Sequence, residues 1–265
     1  MKNISLMPWE ARRRERRVAS RAGQGGITLF VVVVIVLLST LLAAWAFRSS
    51  MFNQFVVRND ADYQRAFDAA QTLLQDAELD IMRLDASGDP CRNAARTGDL
   101  CRATGAVYFP YERGDFSKEL LRYLSAKSPS CEKGICLKRA GAQDFWNLKS
   151  ELVKMKKAAG RYGQFTGAKH DVAGSNDQGL NTLLNWTPNQ PEEGKAWYWV
   201  EVLPYAVSKG RSLLSGAASN PNTNSNRFAP EAHLPFVYRI TVLVEGYQQG
   251  TRVVLQSVVS RQRLP

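Results

Sequence analysis

Residues 25–47 read GGITLFVVVVIVLLSTLLAAWAF, and the 21 residues that follow Gly26 contain no charge, no Gly and no Pro. At 1.5 Å per residue a helix of that length spans about 30 Å, the hydrocarbon thickness of a bilayer. Thr28, Ser39 and Thr40 can return their hydroxyls to the helix backbone and are tolerated there. The segment therefore predicts a membrane-spanning helix. On its N-terminal side, residues 1–26 hold seven basic side chains, six of them arginines between Arg12 and Arg21, against Glu10 and Glu15. By the positive-inside rule this arm stays in the cytoplasm and everything after Phe47 lies outside. The arm carries five of the eleven net positive charges of the 265-residue chain. A basic average would point to nucleic acid, but so much of the excess beside an apolar run reads as membrane orientation, and a nucleic-acid partner is not favoured.

On the C-terminal side, no Gly or Pro occurs from Ile27 through Ser87. Tyr63, Phe67, Ala70, Leu74, Ala77 and Ile81 recur at steps of four and three, the apolar stripe of an amphipathic helix. The span thus continues as one helix to about Leu84, roughly 87 Å if unbroken, and the turn residues of 85–90 (DASGDP) stop it. A cleaved secretory signal is the alternative, since Ala44-Trp45-Ala46 fits the small-x-small rule. The apolar run is longer than such a signal's, and helix rather than loop follows it.

These residues resemble a known family. A basic leader ending in Gly25-Gly26, then an uncharged span running on as an amphipathic helix, is similar to a class III prepilin signal. Residues 59–70 (NDADYQRAFDAA) with Asp76-Ala77-Glu78, and the stretches 238–241 (YRIT) and 251–257 (TRVVLQS), resemble PilX-type minor pilins of the type IV pilus. The resemblance covers roughly residues 23–84 and 235–261. It implies that a prepilin peptidase cuts between Gly26 and Ile27 and methylates the new amino terminus at Ile27. Most pilins carry a Glu at the fifth residue after the cut, where its charge is costly unless paired with a neighbour's free amino terminus; here that residue is Val31. PilX-type minor pilins and the K-type pseudopilins of type II secretion share this lack, which suits a subunit at or near the top of the assembly.

Residues 88–265 have the length of one domain. Residues 115–126 read as a short helix capped by Asp115 or Ser117, and 143–159 as another with Phe145, Leu148, Leu152 and Met155 as its stripe. Lys149, Lys154, Lys156 and Lys157 make a basic patch on the second, a solvated face or a contact for DNA or another partner. Strands are expected over 196–203, 236–244 and 252–259, the last two joined as a hairpin through 245–250. In the middle run Phe236, Tyr238, Ile240, Val242 and Val244 alternate with residues on a partly wet face. The fold class is α+β and pilin-like: a long transmembrane-plus-amphipathic helix packed on a C-terminal antiparallel sheet, with a helical insertion. Its expected divisions are a leader (1–26), a membrane or filament-core helix (27–47), its amphipathic continuation (48–87) and an extracytoplasmic head (88–265). Residues 208–233, rich in Ser, Asn, Gly and Pro, read as a long surface loop.

Cys91, Cys101, Cys131 and Cys136 allow three pairings. Outside the cytoplasm disulfides are favoured, and Cys91 with Cys101 plus Cys131 with Cys136 is the simplest choice, each closing a short loop. Zinc would want C-x2-C-like spacing, which is missing. The two histidines, His170 and His233, form no metalloprotease motif, and no nucleophile elbow, Walker A loop or dinucleotide fingerprint occurs. Asp171, Asn176 and Asp177 could offer oxygen ligands to Ca²⁺, but their spacing matches no known loop. Trp186, Trp197 and Trp199 could line a sugar surface or pack within the sheet.

The expectation is a structural protein with no catalytic residues, cofactor, metal or small-molecule substrate. The resemblance implies a single-pass inner-membrane subunit, with its head in the periplasm before assembly and on the cell surface afterwards. Its partners would be other minor pilins, the major pilin and the prepilin peptidase; its roles would be priming a pilus for adhesion, aggregation, twitching motility or DNA uptake. A type II secretion pseudopilin and a single-pass anchored periplasmic binding protein are the alternatives.

Overall fold

The computed structural model describes residues 25–91, 99–102, 107–110, 112–168, 181–187, 193–205, 230 and 234–261. Helix α1, Gly25–Met82, runs 58 residues without interruption, as the absence of Gly and Pro after its first turn predicts. It stops two residues short of the expected end. Arg83 adopts φ +58°, and the N–H groups of Arg83 and Leu84 return to the carbonyls of Asp80 (3.1 Å) and Leu79 (2.9 Å). This is a Schellman end with an arginine in the left-handed position that glycine usually fills.

The chain forms two compact units, 1–55 and 56–265. In the first, α1 exposes every side chain from Ile27 to Phe55 except the half-buried Val34. The second is a head built on a five-stranded sheet in the order β1 (Cys131–Glu132), β2 (Ile135–Leu137), β3 (Ala196–Pro204), β4 (Phe236–Glu245), β5 (Arg252–Ser260). β3, β4 and β5 pair antiparallel, in register from Ala196 opposite Val244 and from Glu245 opposite Arg252. The sheet is not wholly antiparallel, because β2 lies parallel to β3 with Ile135 opposite Val200. β1 and β2 escape a periodicity reading because they are only two and three residues long. A tight turn joins them, with Lys133 at φ +49° and Gly134 at φ +81°, the paired left-handed conformations of a type I′ turn.

Both faces of the sheet are covered. One carries Tyr198, Val200, Val202, Tyr238, Ile240, Val242 and Val244 against Ala66, Ala69, Ala70, Leu73, Ala77 and Ile81 of α1. The other carries Trp197, Trp199 and Leu243 against Phe145, Leu152 and Met155. The face of β4 expected to be partly wet is therefore largely dry: Val237, Thr241 and Leu243 are buried, and Arg239 and Glu245 are half-buried.

The expected helices are shifted or shortened. The first is α2, a continuous stretch of Arg113–Asp115, a π turn over Phe116–Leu120, and Leu121–Ser125. It begins before both expected caps. Glu112 is the N-cap, and its N–H donates to the Asp115 carboxylate at 3.4 Å. The second is broken at Leu148, which has extended dihedrals between a 3-10 turn, Phe145–Asn147, and α3, Lys149–Lys157. The break turns Leu148 outward, 51% exposed, while Phe145, Leu152 and Met155 stay buried.

Candidate functional site: the apolar helix and the carboxylate seam

Gly26 and Ile27 lie in the first turn of α1, and Val31 one turn further on is half exposed. The 27–55 segment presents Leu29, Phe30, Ile35, Leu37, Leu41, Trp45 and Phe47 to the outside, each more than half exposed. An apolar surface of this extent needs lipid or protein over it. Ile27 onward meets the length and hydropathy of a membrane span.

Within the head, the residues of α1 that grip the sheet coincide only in part with the expected stripe: Ala70, Ala77 and Ile81 are fully buried, whereas its bulkier members are not. Tyr63 is 46% exposed, and Phe67 and Leu74 are only half-buried. The buried seam is rotated by about 60° from that stripe, at 100° per residue, and is lined by alanines with Asp62, Asp76 and Asp80 among them, each under 5% exposed. Alanine has no bulk beyond Cβ, so the helix lies close to the sheet. The carboxylates replace apolar contacts with directed hydrogen bonds to the rest of the head.

Each of the three holds a different part. Asp62 accepts the backbone N–H groups of Tyr247 (2.9 Å) and Gln248 (2.8 Å) in the β4–β5 turn. Burial pushes its pKa up, but those two donors outweigh it and hold it below the usual carboxylate range. Asp76 accepts from the Thr166 hydroxyl and from the N–H of Gly163 at 2.9 Å. There burial prevails, aided by the nearby charge of Asp80, and its pKa is raised to about 6. Asp80 receives a two-pronged contact from Arg102, Nε at 2.9 Å and Nη2 at 2.6 Å, together with the hydroxyl of Tyr198 at 2.9 Å. Arg102 stacks over Phe165, 3.6 Å from the ring centroid. Burial disfavours its charge, and Asp80 more than restores it. Arg261 adds a fourth tie, donating from Nε to the carbonyl of Ile81 at 2.6 Å near the helix end.

Disulfides join Cys91 to Cys101 and Cys131 to Cys136. The first anchors the residue next to Arg102; the second bridges directly opposed residues of β1 and β2. Trp197 and Trp199 are fully buried, with Nε1 of Trp199 donating to the carbonyl of Met155 at 2.9 Å. Trp186 is half-buried and donates to the carbonyl of Tyr162 at 2.9 Å. The tryptophans are thus packing residues rather than a sugar-stacking platform. In the lysine patch Lys156 pairs with Glu245 at 2.9 Å, while Lys149, Lys154 and Lys157 are exposed. Among the described residues no group of His, Cys, Asp and Glu is placed to hold a metal ion. His170, Asp171, Asn176, Asp177 and His233 lie outside the described residues, as does most of the expected loop at 208–233.

Asp62, Asp76 and Asp80 are the functional residues that sequence reading missed. Their spacing of fourteen and four places them on one helix face, the signal that could have found them. Their chemistry is mechanical: three carboxylates lock one helix to a sheet.

No curated protein and no solved structure matches the chain. A family model described as Type IV pilus assembly protein PilX C-term matches residues 132–261, the stretch that holds nearly all of the sheet and α3. Residues 132–261 are thus a PilX C-terminal domain, of a structural family of pilins, and together with the long N-terminal apolar helix they support a PilX-type minor pilin of the type IV pilus.

Proposed function

We propose that the chain is a minor pilin, made as a single-pass inner-membrane protein with residues 1–26 in the cytoplasm and the head in the periplasm. The prepilin peptidase cuts it between Gly26 and Ile27 and methylates Ile27. With other minor pilins and the major pilin it then primes a type IV pilus and stays at or near the tip. The observation that carries this reading is the unbroken helix Gly25–Met82, whose first part is an exposed apolar rod and whose second part is locked into a head of the PilX family.

Residues 27–47 are stored in the bilayer before assembly. On extraction the same surface packs against other pilin helices, because close apolar packing serves in lipid and in a filament core alike. The continuation 48–87 transmits that movement to the head at 88–265, since a helix held at Asp62, Asp76 and Asp80 cannot slide against the sheet. Val31 has no carboxylate to neutralise the amino terminus of a subunit above it, and this supports a terminal place. The pilus then serves adhesion, aggregation, twitching motility or DNA uptake.

Deletion should remove most surface pili, and wild-type protein supplied in trans should restore them; pili undiminished in the deletion strain would contradict a priming role. A pseudopilin of type II secretion is the second reading, favoured by Val31, which K-type pseudopilins resemble. It predicts lost protein secretion with pili intact.

A further inference from the structure

The head's charge is concentrated in one place. Outside residues 1–26 the chain has an excess of six positive charges, and residues 127–157 alone hold eight Lys and Arg against three Asp and Glu. That segment contributes β1, β2 and α3, on the opposite face of the sheet from α1. Within it lies a cleft of about 260 Å³, bounded by the β1–β2 hairpin, the stretch 138–143 and α3.

The cleft combines apolar, hydroxyl-bearing and basic lining residues. Phe145, Met155 and Trp199 supply its apolar lining, and Ser128, Ser130 and Thr241 its hydroxyl-bearing lining; the Ser130 hydroxyl also donates to the carbonyl of Lys127, and that of Thr241 accepts from Gln256. Its two carboxylates are already answered. Glu151 pairs with Arg139 at 3.2 Å, and Glu201 accepts the Arg139 N–H at 2.8 Å and Nε of Arg239 at 2.5 Å. Neither stands as an uncompensated charge to repel an incoming anion. Lys127 is engaged with Glu132. Lys138, on the rim, is exposed and has no acidic partner among the described residues; beyond the cleft, Lys149 and Lys157 are in the same condition.

We propose that this cleft binds an acidic sugar, a carboxylate-bearing unit of an anionic polysaccharide, with the carboxylate on Lys138 and ring hydroxyls toward Ser128, Ser130 and Thr241. A shaped cleft with hydroxyls suits one ring of a chain better than a uniform charged rod, and Lys149 and Lys157 supply attraction for the units that follow. The inference concerns the head alone and does not depend on the place of the subunit in a filament.

The test uses the full chain purified in a non-ionic detergent, titrated with a galacturonic acid tetramer, with a neutral glucose tetramer and duplex DNA as comparisons. The proposal expects binding of the acidic tetramer over the neutral one. Lys138→Glu should weaken it about tenfold, the scale of one hydrogen bond to a charged group. Ala140→Trp, at an exposed site on the cleft, should abolish it by filling the mouth while the far-ultraviolet spectrum stays unchanged. No binding, equal binding of the neutral tetramer, or indifference to Ala140→Trp would overturn the proposal. So would duplex DNA displacing the acidic tetramer from the wild-type chain, since that would make the face a general polyanion surface.

Discussion

The hydroxyl of Tyr198 on β3 donates to the carboxylate of Asp80 on α1 at 2.9 Å, across 118 positions of sequence, in an environment where both side chains are buried. Arg102 meets the same carboxylate with two nitrogens. Helix, sheet and the cystine-bound turn Leu100–Arg102 thus converge on one residue. Breaking such a buried pair from one side leaves an unanswered charge and typically costs about 3–5 kcal/mol. Asp80→Ala should therefore destabilise the head by roughly that amount in urea unfolding. The double variant Asp80→Ala with Arg102→Ala should recover part of the loss; strictly additive effects would show that the pair is uncoupled.

Asp76 predicts an unusual dependence on pH. Its folded pKa of about 6 lies above the ordinary aspartate value of 3.8, so the folded state holds the proton more tightly than the unfolded state does. Its contribution is fully present below about 3.8 and is lost as pH rises through about 6, a change on the order of 3 kcal/mol. Asp62 works in the opposite sense: its folded pKa is lowered, and its contribution is present above the unfolded value and lost as pH falls through the folded one. Urea titrations at pH 4 and pH 7 should find Asp76→Asn relatively more stabilising at pH 7. An identical difference at both values would remove Asp76 as the titrating group.

The long helix could be read from its apolar periodicity and lack of Gly and Pro, and the long strands from their apolar runs, each to within a residue or two. The seam could be read only in part: Ala70, Ala77 and Ile81 of the expected stripe are buried, but hydropathy assigns Asp to the wet face. Asp62, Asp76 and Asp80 sit on the buried face, with alanines where a sequence reading looks for Tyr63, Phe67 and Leu74. The parallel strand β2 was hidden by its length of three residues, and its partner Val200 is 65 positions away. Leu148 continues a helical stripe in sequence, but extended dihedrals at that residue turn it outward. Local pattern reports which residues are apolar, whereas tertiary hydrogen bonds decide which polar ones are buried.

Asp62→Ala would leave the N–H groups of Tyr247 and Gln248 without their acceptor. A hydrogen bond to a charged group contributes about 1.5–3 kcal/mol. Because the two donors share one turn, the effect should be local: amide exchange at residues 247 and 248 should accelerate strongly while the centre of β4 stays protected. Unchanged exchange there would mean that the carboxylate does not hold the turn.

Gly160 exchanges backbone hydrogen bonds with Tyr198, at 2.9 and 3.0 Å, and a Cβ on it would collide with the Tyr198 ring. Gly160→Ala should displace the ring and weaken its bond to Asp80, at about 1–3 kcal/mol for overpacking. Tyr198→Phe should cost less and should make Gly160→Ala no worse at the Asp80 contact; unfolding energies of the two variants and their combination measure this. Full additivity would separate the glycine contact from the Asp80 network.

The central claim is that the chain enters the pilin pathway. Intact mass spectrometry of the protein from membranes of cells with and without the prepilin peptidase tests it most directly. The account predicts a mature chain beginning at a methylated Ile27, present only when the peptidase is. A chain beginning at Phe47, or one still carrying Met1 in both strains, would contradict it.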